Sequence, residues 1–146
     1  MPTVDLNGVP LAYEVAGSGD PIMLVAGTGY PGATWSPQLL APLTASHTVV
    51  TFDHRGTGST PSTPERYSTR GFAADALGLL DALDLPATHV VGHSMGGRVG
   101  QWMALDRPDR VRSLVLAASG PGEWRVDKPV TRGVPLHTAV AMIELG

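Results

Sequence analysis

No cysteine occurs among the 146 residues, which excludes a disulfide scaffold, a thiolate zinc site and a cysteine nucleophile. Aromatic residues make up only 5% and charged residues 16%. With 13 Asp and Glu against 10 Lys and Arg, the formal net charge is −3, so the chain has no basic footprint for nucleic acid or an anionic membrane. No apolar run approaches the roughly 18 residues of a spanning helix. The opening MPTVDLNGVP also lacks the basic stretch and apolar run of a secretory leader. The expectation is a cytoplasmic protein with neither a nucleic-acid nor a membrane partner.

What is present is apolar and heavily punctuated. Hydrophobic residues reach 42%, enough for a packed core in a single domain of this length. The 18 glycines and 13 prolines exceed the usual combined share of roughly 12%. They cluster between strongly apolar runs, as suits short strands and helices joined by structured loops.

Thr3–Leu6 and Val9–Val15 flank Asn7-Gly8, the preferred dipeptide of a two-residue hairpin turn. Pro21–Ala26 is a continuous apolar run of strand length, the pattern of a strand covered on both faces. A helix-compatible stretch near Trp35–Ala45 and a strand at His47–Phe52 follow. Ser68 can cap a helix to about Leu85, with Phe72, Ala76, Leu79, Leu80 and Leu83 at helical spacing. Thr88–Val91 reads as strand, Met95–Asp106 as helix, Ser113–Ala118 as strand and about Leu136–Leu145 as a short terminal helix. Strands alternating with helices predict an α/β fold: a mostly parallel sheet preceded by an antiparallel hairpin. The Gly- and Pro-rich stretch after Ser119 is the one candidate boundary.

The most specific motif is Gly92-His93-Ser94-Met95-Gly96, which fits G-x-S-x-G between a strand and a helix. A nucleophilic serine on that sharp turn has a strained backbone, and side chains two residues to either side would collide with it. An ordinary Gly-rich turn with an incidental serine is the plain alternative, and the strand–turn–helix context weighs against it. Acyl transfer at Ser94 needs two donors for the developing oxyanion. The N–H of Met95 is one, and the loop Ala26–Tyr30 offers the other, at Thr28.

The same loop, Gly27-Thr28-Gly29-Tyr30-Pro31-Gly32, literally matches G-x-G-x-x-G, with Asp53 closing the next strand. A dinucleotide-binding oxidoreductase is therefore a rival reading. Pro31 falls where a phosphate-binding helix should already run, and such a fold gives no reason for the hairpin or for Ser94. In Asp53-His54-Arg55-Gly56-Thr57-Gly58-Ser59, Asp53 and Arg55 are expected to organise a polar turn by charge-assisted hydrogen bonds. His54 is a candidate pocket-lining residue rather than a base.

Taken together, GHSMGG, DHRGTGS, AGTGY and the hairpin resemble the N-terminal part of the α/β-hydrolase superfamily, of the serine esterase, lipase and cofactor-free haloperoxidase type. The resemblance covers about residues 3–120 and implies Ser94 as nucleophile with the Met95 and Thr28 N–H groups as oxyanion hole. It departs at Ala26, where the family commonly has His. Members with an aspartate nucleophile are a poor match because residue 94 is Ser. In this fold the acid and the histidine follow the serine in the chain. After Ser94 the only histidine is His137, with Glu123 and Asp127 as nearby acids. None stands on an expected strand, so the chain is expected to stop before the acid and histidine of the triad.

The resulting expectation is a core at 1–120 lacking its C-terminal strands and the start of a lid at 121–146. The activity expected is serine hydrolysis of a carboxylic ester or related acyl compound, with Tyr30 and Trp35 as substrate-binding pocket walls and neither cofactor nor metal. The partner expected is a small-molecule ester or acyl substrate. With the chain ending here, the Ser113–Ala118 strand would be a bare edge open to self-association. A third reading is a non-catalytic ligand-binding protein that keeps the fold without a working triad.

Overall fold

Asn7 and Gly8 have φ of +57° and +83°, the two left-handed conformations that a type I′ hairpin requires. In the computed structural model, which describes residues 1–120 and the short segment Ile143–Glu144, this turn joins β1 (Thr3–Leu6) to β2 (Val9–Ala16). The chain continues through β3 (Asp20–Val25), α1 (Pro37–Thr44), β4 (His47–Phe52), α2 (Thr69–Ala82), β5 (Thr88–His93), α3 (Met95–Asp106) and β6 (Val111–Ala117). Ile143–Glu144 forms β7. The sheet runs β1-β2-β4-β3-β5-β6-β7. Its four central strands are parallel, and the hairpin joins them antiparallel through β2 and β4.

The local reasons are those the residues suggest. Ser68 caps α2 by accepting the Gly71 N–H at 2.9 Å. The leucine periodicity runs on to Leu85, yet the helix ends at Ala82 because Asp84 turns left-handed (φ +52°) and Pro86 follows. Conversely, β5 outruns its apolar stretch: Gly92 and His93 stay extended because β6 pairs with both at Leu116 and Ala117.

One sheet face packs Met23, Val25, Val50, Phe52, Val90 and Leu114 against Leu79 and Leu80 of α2 and Val99 and Met103 of α3, all at most 2% exposed. The other face sets Ile22, Leu24 and Val49 beneath Trp35, Leu40 and Leu43. The chain therefore leaves β3 toward one face and the adjacent β5 toward the other. A crevice between two loops at the carboxyl ends of neighbouring strands is the place where open α/β sheets bind ligands.

One expectation fails at the C-terminal end: Ile143 and Glu144 are strand rather than helix. They pair antiparallel with β6, Glu144 opposite Ser113 and Ile143 opposite Leu114, so the β6 edge is not bare there. Unpaired N–H and C=O groups on an apolar edge strand favour such pairing, and a short apolar run does not reveal it in sequence. Glu123, Asp127 and His137 lie outside the described residues. No helix among the described residues is long and apolar enough to cross a membrane.

Candidate active site

Ser94 stands between β5 and α3 with φ +53° and ψ −115°. For a non-glycine residue this backbone costs on the order of 1–3 kcal/mol and persists only where its surroundings over-determine it. Here they do. The Ser94 N–H donates to the Ala117 carbonyl at 2.9 Å, and the Ser94 carbonyl accepts from the Gly97 N–H at 3.1 Å and the Ser119 hydroxyl at 2.7 Å. A Cβ on Gly96 would run into the carbonyl oxygens of Val25 and Ala26, and one on Gly92 into the Gly96 carbonyl. The serine is exposed. Met95, as the first residue of α3, has an N–H without an intrahelical acceptor, at the positive end of the helix dipole.

The loop after β3 closes over this turn. Tyr30 N–H bonds back to the Gly27 carbonyl at 3.2 Å, with Gly29 at φ +74°. Gly27 lies against Ser94: a Cβ there would be 3.4 Å from Ser94 Cβ and 3.2 Å from His93 Nδ1. Thr28 and Met95 line one cavity of about 360 Å³, together with His54, Tyr67 and Phe72. Tyr30 and Trp35 line a second, of about 270 Å³, with Ala26, Gly27, Thr34 and His93. Trp35 meets His93 edge-on at 6.5 Å. Four of the residues singled out in the sequence, Thr28, Met95, Tyr30 and Trp35, thus line two hollows beside the turn that carries Ser94. A third hollow, of about 280 Å³, lies toward Leu6, Asn7 and Gly78 and includes neither Thr28 nor Met95.

The profile of the alpha/beta hydrolase fold family matches residues 21–141. This chain belongs to the α/β-hydrolase family. Over 111 residues it is 46% identical to a protein of Variovorax paradoxus provisionally named carbamate hydrolase RutD, covering 74% of this chain and 42% of that one. It is 40% identical over 112 residues to a protein of Mycobacterium tuberculosis provisionally named non-heme bromoperoxidase BpoC, covering 76% and 42%. Among solved structures, Est816, described as an N-acyl homoserine lactone degrading enzyme, superposes with a TM-score of 0.77 at 33% identity, covering 82% of this chain and 46% of that one. The chain spans less than half the length of these relatives.

In this hydrolase fold, Asp53 acts as a brace. Its buried carboxylate accepts the Gly32 N–H at 2.7 Å and the Ser59 N–H at 2.8 Å, tying the loop after β3 to the loop after β4. That arrangement opposes the dinucleotide reading. Asp53 is fully engaged within the protein, and Pro31 leads into a single 3-10 turn, Gly32–Thr34, rather than a phosphate-binding helix. Arg55 makes a bidentate pair with Asp75 of α2, at 2.8 and 2.6 Å. Its guanidinium is pushed further above its ordinary range, chiefly by that hydrogen bond. Sequence reasoning missed Asp75, although a carboxylate on the apolar stripe of α2 signals a buried partner.

Among the described residues, no hydrogen bond engages Ser94 Oγ. His47 contacts Ser46, and His89 contacts the Ser113 hydroxyl at 2.7 Å. His54 is 2% exposed and bonded to the Ala26 carbonyl. His93 follows its own direction beside Trp35. No group of three or more metal-ligating side chains occurs among the described residues.

Proposed function

We propose that this chain carries the nucleophile and oxyanion hole of a serine hydrolase acting on a carboxylic ester or related acyl compound. Ser94 Oγ attacks the carbonyl carbon, and the oxygen that becomes negative is received by the N–H groups of Met95 and Thr28. Expulsion of the leaving group gives an acyl-serine, and attack by water then releases the acid and frees the serine. A histidine and an acid complete the proton transfers. The observation that carries this reading is the strained Ser94 backbone on the β5–α3 turn, with Gly27 held side-chain-free against it. The relatives named for carbamate and N-acyl homoserine lactone chemistry fit an acyl substrate class broader than simple esters. Tyr30 and Trp35 supply a wall for an apolar substrate group.

The decisive experiment uses the full gene product. A fluorophosphonate probe should label Ser94, and labelling should vanish in Ser94→Ala together with essentially all turnover, on the order of 10⁶-fold as for removal of other triad nucleophiles. Labelling at another residue, or unchanged turnover in the alanine variant, would sink the proposal and favour a ligand-binding protein built on the same fold.

A further inference from the structure

His54 is the buried one among the described histidines, none of which the proposed chemistry uses, and its surroundings are unusual. Its ring is 2% exposed and lies against Phe52 (4.9 Å between centroids) and Phe72 (4.7 Å). Its one hydrogen bond runs from Nε2 to the carbonyl of Ala26, 3.3 Å away. Nδ1 is buried without a partner. A carbonyl only accepts, so Nε2 carries the hydrogen and Nδ1 is the bare nitrogen of a neutral imidazole. The bond crosses from the end of β4 to the first residue of the loop that presents Thr28, and His54, Thr28 and Met95 line the same cavity.

We infer that His54 is a positioning residue: by donating from Nε2 to the Ala26 carbonyl, it sets where the Thr28 N–H meets the oxyanion. The inference rests on the hydrolase reading above. The loop has few other anchors. Asp53 holds it at Gly32, beyond the turn; His54 holds it at Ala26, before the turn. Between them Gly27 and Gly29 leave the backbone free to shift, and an oxyanion donor displaced by a fraction of an ångström loses much of its effect. Protonation would defeat the arrangement by placing a second N–H, on Nδ1, in a buried site without an acceptor. Burial accordingly lowers the pKa of the imidazole. The Ala26 carbonyl, Asp75 of α2 and Asp53 oppose that shift. Arg55, paired with Asp75, and Tyr67 are the other ionisable groups lining this cavity.

Two measurements on the full gene product test this. The ¹⁵N spectrum of the unsubstituted protein should show His54 protonated at Nε2 and bare at Nδ1 at neutral pH; the opposite tautomer overturns the inference without any variant having to fold. The second measurement compares p-nitrophenyl acetate with its thiono analogue, whose sulfur accepts hydrogen bonds poorly. His54→Phe, which keeps an aromatic ring between Phe52 and Phe72, should lower kcat on the oxygen ester by about 10- to 100-fold. KM should hold, and the preference for oxygen ester over thiono ester should narrow. His54→Gln, with an amide N–H to offer, should recover most of both. An unchanged preference in His54→Phe, or equal losses on the two esters, overturns the role. Fluorophosphonate labelling separates the two claims. If Ser94 is not labelled, the hydrolase reading fails; if it is labelled and the preference is unmoved, only the role of His54 fails.

Discussion

At the scale of single residues, two glycines near Ser94 differ in what they exclude. Gly96 has no left-handed backbone; a Cβ there meets the carbonyl oxygens of Val25 and Ala26. Lack of space alone makes it glycine, which the G-x-S-x-G spacing implies but a reading based on φ would attribute to backbone freedom. Gly96→Ala should therefore destabilise by about 1–3 kcal/mol, as overpacking does, seen as a lower thermal midpoint along with lost activity. Gly27→Ala meets His93 Nδ1 at 3.2 Å, Ser94 Cβ at 3.4 Å and the His93 carbonyl oxygen at 3.5 Å, none of them as close as the carbonyls that Gly96 faces. It should leave the midpoint within about 1 °C, since 1 kcal/mol shifts a domain of this size by only a few degrees, while kcat/KM falls. Equal effects of the two substitutions on stability would contradict this division. His54 adds a pH signature. Its imidazole is held below the ordinary value of 6.5 by burial, so between that value and its lowered one the unfolded chain binds the proton that the folded chain refuses. Stability from this group is complete above about 6.5 and declines as the pH falls below it. The midpoint in urea, followed from pH 8 to pH 5, should drop less in His54→Gln than in the unsubstituted protein.

At the scale of elements, the loops at the carboxyl ends of β3, β4 and β5 are held by polar contacts between distant segments. Asp53 joins Gly32 to Ser59, and Arg55 joins the β4 loop to Asp75 of α2. These contacts explain why the strand and helix positions were legible while their connections were not. Periodicity, caps and turn dipeptides are local, and they located Ser68, Asn7-Gly8 and the whole of α3. The partner of Arg55 lies 20 residues away, and nothing local in the sequence couples the two. His54 was legible as a residue of the pocket, but its burial between Phe52 and Phe72 depends on the packing of α2 against β4. Asp53→Asn tests the brace. An amide can present its oxygen to only one of the two N–H donors, leaving its NH₂ facing the other, so unfolding in urea should show a loss of about 1–3 kcal/mol. A variant as stable as the parent would show that Asp53 does not join the loops.

At the scale of the molecule, the sheet order places the β3 and β5 loops together, and the proposed chemistry at Ser94 finds no proton-transfer partner among the described residues. Of the four histidines among the described residues, one is buried on Ala26, one neighbours Ser94 in the chain and two are bonded elsewhere. A serine without a base is a neutral alcohol at pH 7. Removing the base of a triad costs on the order of 10⁶ in turnover and leaves roughly 10³–10⁴ over water from the oxyanion hole and binding. The described residues offer Ser94 no such base, so p-nitrophenyl acetate turnover by residues 1–146, set against their Ser94→Ala variant, reads whether a residue outside them supplies one. Light scattering on the same sample addresses the sheet edge. β7 occupies β6 at Ser113 and Leu114 only. Val115, Leu116 and Ala117 pair with β5 on one side and have no strand partner among the described residues on the other, so association beyond the monomer is expected through that half. Val115→Lys, which charges a half-buried position there, should reduce it. A monomer with robust Ser94-dependent turnover would instead place a working base within these 146 residues. His137 would then be the residue to substitute next, because it is the one histidine of this sequence that follows Ser94.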